Sequence, residues 1–539
     1  MHVLSRASAL AVLAYVSLAA LPLARAEVQS PEAQTAAETN ADVLILGGRV
    51  HDGRNRPELR ADVAIRGDRI VAIGDLEAWQ APLRIDARDR VVCPGFIDLH
   101  SHSDSPILAK KTRENLSYLT QGCTTVVTGN CGGGKIDVAD YLGRIDKNGA
   151  GTNVAHLLPH GSIRSRAMGG SFDRAATDEE LARMRALFER GMREGAFGMS
   201  TGLIYAPGRF ASTDEVVACA SVVAAHGGMY ASHIRSEGDG LVDAVKEAID
   251  IGRRAGCAVH VSHMKASVPS NWGKVREAAA LIETARGEGL AVTADQYPYI
   301  ASSTSLAALV FPGWALAGTN ADLVRRLDDE VDGPKIRAAI RHAFERRGGY
   351  DKILIASYAR EPRWSGLSIE AAARLANEDP VELVCRMQRS GRVSAVAFSM
   401  CEDDVRFVMQ QPWVATASDG SSKVTDATRP HPRSYGTFPR KIGRYALEAG
   451  VVTLEAAIHS CTGLPADILG LEDRGRLEVD SFADIVVFDP VTLRDRATYK
   501  DPHRLSVGVE WLFVNGQAAI AKGEATGRNA GRALRPRPR

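Results

Sequence analysis

Eight short apolar runs recur along the middle of the chain, and each breaks off in a polar cluster. They are PGFIDLHSH (94–102), TTVVTGNC (124–131), NVAHLLPH (153–160), AFGMSTG (196–202), MYASHIR (229–235), AVHVSHMK (258–265), AVTADQYPY (291–299) and VATASDG (414–420). Runs of this length, rich in β-branched residues and bounded by Gly, Ser and Asn, predict buried strands. Between them lie stretches of helical periodicity, Asp178 to Glu194, Asp214 to His226, Leu241 to Ala255 and Lys274 to Glu288. Strand and helix in alternation predict an α/β architecture, a (β/α)8 barrel of the TIM type.

The pattern changes outside these segments. Residues 42–90 alternate apolar and polar around Gly and Asp turns, as in DVLILGGRVHDG and DVAIRGDRIVAIG, which predicts short antiparallel strands. The same texture returns in GRLEVDSFADIVVFDP and VEWLFVNGQ, so both flanks are expected to build one small β-sandwich. After Tyr299 the strand–helix rhythm fails until about Ser390, too long a gap for a plain connection, and an inserted subdomain over the barrel mouth is expected. The domain reading is therefore 42–94 and 456–525 for the sandwich, 95–455 for the barrel, and about 301–390 for the insertion.

The termini read differently again. Ala7 to Leu23 is almost wholly apolar, follows Arg6 and leads into Ala24-Arg25-Ala26, a small-x-small site. This predicts a signal peptide over 1–26, cleaved before Glu27, and a periplasmic or secreted protein. Residues 27–41 read as a flexible leader, and the Arg- and Pro-rich 526–539 as a disordered tail. No later run is long enough to span a bilayer.

Composition narrows the class. A chain of 539 residues that is 45% hydrophobic buries a large core, and a net charge of +1 gives no electrostatic case for nucleic acid or an anionic membrane. The eight cysteines contain no CxxC pair. Most read as small buried apolar residues; Cys131 stands apart, because the glycines of GNCGGG turn the backbone tightly and leave the sulfur facing a cavity. Gly129 to Lys135 has GxxxxGK spacing, but Ile136 stands where a phosphate loop needs Ser or Thr, so the match is rejected.

Strand ends carry the chemistry. His100, His102, Cys131, His233, His263 and Asp419 all follow apolar runs, which would gather them on the C-terminal rim of a barrel. Zinc takes imidazole, thiolate and carboxylate, and a catalytic site keeps one position for water. Six such groups exceed the needs of one tetrahedral ion. Either two ions share the site or some residues act on the water. His160 has the same placement, and orienting a neighbour suits it equally well. Arg433 offers a two-pronged guanidinium for a carboxylate, and Lys265 faces the same side as His263.

GFIDLHSHSD, GNCG, SHIRSE, VSHMK, ASDG and above all RPHPRSYGTFPR resemble the N-acyl-D-amino-acid deacylases, or D-aminoacylases, of the amidohydrolase superfamily, over roughly 42–516. The resemblance implies a zinc-bearing barrel with a β-sandwich and an insertion, and hydrolysis of the linear amide of small N-acyl-D-amino acids. It implies that Cys131, His233 and His263 hold the tight zinc, that His100 and His102 form a weaker or second position, and that Asp419 is the general base. Tyr297 and Ser302 or Ser303 match positions near the family's ligand pocket. Cyclic-amide hydrolases of the superfamily bridge two metals with a carboxylated lysine after the fourth strand. AFGMSTGLIYAPG has none, so Cys131 takes the bridging task. A D-residue dipeptidase and a cyclic-amide hydrolase are the alternative activities. A non-catalytic binding protein is disfavoured, since no required group is missing.

Overall fold

The computed structural model describes residues 39–170 and 172–537. The signal peptide and nearly all of the leader lie outside the described residues. Of the leader, Thr39 and Ala41 exchange backbone hydrogen bonds with Gln80 (3.0 and 2.9 Å).

Eight parallel strands form the barrel. They are β1 (Phe96–Asp98), β2 (Cys123–Thr128), β3 (Asn153–His156, resuming at Leu158–Pro159), β4 (Gly198–Gly202), β5 (Met229–His233), β6 (Val259–Val261), β7 (Val292–Gln296) and β8 (Val414–Thr416). Parallel pairing runs without interruption from β1 to β3 and from Leu158–Pro159 through β8. Backbone bonds complete the ring: Phe197 N–H donates to His156 between the two halves of β3 and the start of β4, and His102 N–H donates to Gly420 (2.7 Å) across β8 and β1.

Helices cover the outside where their apolar stripe dictates. Asp178–Arg193 starts in a capping box, Thr177 accepting from the Glu180 N–H while Glu180 accepts from that of Thr177. Its Met184 and Phe188 are fully buried against the barrel. Thr213–Ala225, Leu241–Ala255 and Val275–Gly287 follow, each within one residue of its predicted start and end. Strands this deeply covered on both faces read as continuous apolar runs, which is why they stood out in the sequence.

Nine strands from the two flanks share one sheet. Its centre joins the ends of the chain: Val91–Pro94 pairs antiparallel with Ile485–Phe488, and parallel with Arg49 and Val50. Ile70 N–H donates to Ser481 and Asp480 N–H to Ile70, so the sheet curls back on itself around Val43, Ile45, Val63, Ile65, Ile85 and Ile485.

The insertion is built on a three-stranded antiparallel sheet of Ala301–Ser305, Val393–Phe398 and Ile353–Tyr358, and so runs to Phe398, beyond the expected limit of 390. It has its own core, in which Ile336, Ile340 and Phe344 of helix Asp332–Arg347 are fully buried. The expectation of a disordered tail is corrected as far as Arg537. Gly531 and Leu534 N–H donate to Ala150 and Val154, and Arg532, Arg535 and Arg537 pair with Asp68, Asp146 and Glu472. Composition signalled solvation, but backbone pairing and three acidic partners override it. Among the described residues no helix is long and apolar enough to cross a membrane.

Candidate metal centre

The C-terminal rim brings five of the predicted donors around one sulfur or its neighbours. Cys131 Sγ lies 3.2 Å from His100 Nε2, 3.5 Å from His233 Nδ1 and 3.6 Å from His263 Nε2. Asp419 Oδ1 is 3.0 Å from His102 Nε2 and 3.6 Å from His100 Nε2. Three of these residues sit in the left-handed region: Cys131 at φ 51°, His263 at φ 37° and Asp419 at φ 48°. Non-glycine residues adopt it at a cost, and here the turn aims each side chain from its strand end towards the barrel axis. At the end of β4, a Cβ on Gly202 would stand 2.2 Å from the Cys131 carbonyl oxygen. That approach requires glycine at the end of this strand.

The donors suit zinc. Bond lengths of about 2.3 Å to sulfur and about 2.05 Å to nitrogen at tetrahedral angles require sulfur–nitrogen spacings of about 3.5–3.6 Å, which the Cys131–His233 and Cys131–His263 contacts match. Two overlapping groups have donor atoms within 4.8 Å of one another, His100 with Cys131, His263 and Asp419, and His233 with Glu237 and His263. In the second group Glu237 is already taken up by Lys265 and His263 Nδ1. Cys131 and His263 stand together in the first group, and His233 lies 3.5 Å from the same sulfur.

Two carboxylates that sequence reasoning missed hold these rings. Asp295 of β7 lies 3.2 Å from His100 Nδ1 and 2.9 Å from His260 Nε2, and accepts from the His263 N–H at 2.8 Å. Burial raises its pKa, but His100 and His260 outweigh burial and keep it ionised, well below the usual carboxylate range. Glu237 lies 2.9 Å from His263 Nδ1. An imidazole that donates Nδ1–H to a carboxylate presents Nε2 as a lone pair, the arrangement metal-ligating histidines use. The sequence signal was present: Glu237 stands four residues after His233 in SHIRSE, and Asp295 ends the seventh apolar run.

Charge at the centre is held ready. Burial opposes ionisation of the Cys131 thiol, yet His100 and His233 bring its pKa well below the ordinary value. Asp419 is likewise buried, and Arg433, His263 and His100 hold it well below the carboxylate range. Both candidate carboxylate-binding cations are engaged in ion pairs. Arg433 Nη1 is 2.8 Å from Asp419 Oδ2, as an ion pair whose N–H is not directed along that contact, while Nη2 donates to Ser303 O (3.3 Å). Lys265 Nζ lies 2.5 Å from Glu237. Neither strand-side geometry at Lys265 nor the guanidinium chemistry of Arg433 reveals a carboxylate arriving from another loop. Tyr297 is buried under Arg433, 4.7 Å from ring centre to guanidinium, and its hydroxyl has no partner.

A cavity of about 410 Å³ opens onto this centre. His233, His263, Lys265, Asp419, Ser302 and Ser303 are among its walls, as are Tyr205 and Tyr297. His160 is not; it lies 3.0 Å from Glu215, which also pairs with Arg164, in a buried network between two helices. All eight cysteines are free thiols, and all but Cys131 and Cys401 are buried.

A parallel barrel whose rim converges thiolate, imidazole and carboxylate on one cavity defines a metal-dependent hydrolase. The chain belongs to the amidohydrolase family, whose pattern matches residues 84–520. It is 37% identical to a D-aminoacylase and 38% identical to an N-acyl-D-glutamate deacylase, both of Alcaligenes xylosoxydans xylosoxydans. These matches cover 92% of this chain in each case, and 97% and 96% of the relatives. Among solved structures, N-acyl-D-glutamate deacylase from Bordetella bronchiseptica, complexed with zinc and a phosphonate mimic of the tetrahedral intermediate, superposes with a TM-score of 0.80 at 35% identity. That match covers 92% of this chain and all of the other.

Proposed function

We propose that the chain is a zinc-dependent deacylase of N-acyl-D-amino acids, in which Cys131, His233 and His263 hold the tight ion and His100 and His102 serve a second, weaker position. The observation that carries the reading is the pair of 3.5 and 3.6 Å spacings from Cys131 Sγ to two imidazole nitrogens, beside an ionised Asp419 at one cavity wall. Relatives that are named for this reaction support the substrate class.

Zinc supplies Lewis acidity: it polarises an amide carbonyl and makes water acidic enough to attack near neutral pH. Asp419 takes the proton of the attacking water and returns it to the leaving nitrogen, so that amide and water become a carboxylic acid and a free amino acid. The His102 ring, 3.0 Å from Oδ1, holds the carboxylate in place for both transfers. Arg433 receives the α-carboxylate, with its Nη2 fixed on Ser303 O. The unpartnered Tyr297 hydroxyl provides a further donor, since buried polar groups find partners. Ser302 and Lys265 line the same wall.

The test compares N-acetyl-D- and N-acetyl-L-amino acids on the purified chain. Holding the carbonyl and the α-carboxylate leaves one direction for the side chain, so the D form is expected to be favoured by about a hundredfold or more. Arg433→Ala is expected to raise KM and lower kcat/KM for the D substrates by about tenfold or more, and to spare a matched amide without the carboxylate. Preference for the L series sinks the substrate reading; equal losses on both amides make Arg433 a purely structural residue.

Export is part of the proposal, resting on the apolar run 7–23 and the Ala24-Arg25-Ala26 site. Protein recovered outside the cytoplasm is expected to begin at Glu27 on N-terminal sequencing. Exported material that still begins at Met1 overturns cleavage.

A further inference from the structure

We propose that Arg347 is a specificity residue that receives a second carboxylate of the substrate, so that this enzyme favours N-acyl-D-amino acids with an acidic side chain. The inference rests on the deacylase reading above. Helix Asp332–Arg347 of the insertion has two working faces. Ile336, Ile340 and Phe344, at a spacing of four, bury into the insertion core. Ala339, His342, Ala343, Arg346 and Arg347 fall on the adjoining face and form a wall of the cavity that also holds His233, His263 and Asp419.

Pairing off the charges around that cavity leaves one over. Lys265 is matched by Glu237 and Arg346 by Asp239, to which it donates twice at 2.8 and 2.5 Å, while Arg433, beside Asp419, is committed to the α-carboxylate. Among the described residues no carboxylate answers Arg347. Its one hydrogen bond runs from Nη1 to the Ala343 carbonyl of its own helix (2.9 Å), and its Nε is buried with no partner. Burial and the neighbouring Arg346 charge lower its pKa to about 10, which still leaves it fully charged at neutral pH. The last turn of a helix attracts cations, which accounts for an arginine at this position but not for desolvating its Nε away from any anion. A planar guanidinium with donors to spare is the group that takes a carboxylate in two-pronged fashion. Identities of 37% to a D-aminoacylase and 38% to an N-acyl-D-glutamate deacylase do not choose between neutral and acidic side chains. The unanswered charge does.

The experiment measures kcat/KM for N-acetyl-D-glutamate and N-acetyl-D-leucine on the native zinc enzyme, Arg347→Gln and Arg347→Lys, with zinc content and melting temperature for each. Arg347→Gln is expected to lower kcat/KM for the glutamate substrate about tenfold or more, mainly through KM, and to leave the leucine substrate within about threefold. Arg347→Lys is expected to recover part of the loss. Equal losses on both substrates, or no loss on the glutamate substrate, overturn the assignment. Turnover of N-acetyl-D-leucine by the native enzyme upholds the deacylase reading whatever Arg347 does. A native enzyme that hydrolyses neither substrate brings down both.

Discussion

Cys131→Ala is expected to release the tight zinc: bound metal should fall by about one equivalent per chain, and hydrolysis should fall with it by more than about a hundredfold. The sulfur lies within 3.6 Å of three ring nitrogens, those of His100, His233 and His263. Without it the imidazoles face an empty centre, and neither Glu237 nor Asp295 can replace it, because both are held by His263 and its neighbours. Changes to groups that merely orient a ligand typically cost 10- to 100-fold in metal affinity, so removing the ligand that others surround should cost more. Metal analysis and a thermal melt on the same sample separate lost zinc from a lost fold. Full zinc occupancy together with full activity in this variant contradicts the centre as described.

Asp419→Asn is the complementary case, with metal retained and turnover lost. Asparagine tolerates the left-handed backbone at φ 48° and keeps the shape of the side chain, so the local turn should survive. What it lacks is a site to accept the proton of water and hand it on. A fall in kcat of roughly two to four decades is expected, with zinc content near that of the native chain. Loss of the Arg433 ion pair is a secondary consequence, read separately as a change in KM. Near-normal turnover by this variant assigns the proton transfer to another group.

The sequence carried the strand–helix order and the donor positions because both leave local marks. Buried parallel strands are continuous apolar runs, and rim residues stop them, so His100, Cys131, His233, His263 and Asp419 were each visible at a strand end. Partners from distant segments left no such mark. Asp295 looked like the polar end of one more strand, and only barrel closure brings it to His100, 195 residues earlier. Lys265 and Arg433 were legible as cations, but their carboxylates come from other loops. Arg347 lay in a helix whose periodicity explained Ile336, Ile340 and Phe344 and left its second face without an evident role. The tail misled for the opposite reason: its composition is that of a solvated segment, and its anchors, Ala150, Val154, Asp68 and Asp146, are hundreds of residues away.

The joining of Val91–Pro94 to Ile485–Phe488 sets the timetable of folding. Almost four hundred residues must leave the ribosome before the central strand of the flanking sheet meets its partner, and Ile70 waits as long for Ser481. Such long-range pairing carries a large loop-closure cost and slows the final step. The first-made strands therefore stand as open edges through most of synthesis. The two flanks are the first and the last parts of the polypeptide to be made: the barrel between them can assemble locally, but the sheet that clasps it closes only when the chain is nearly complete.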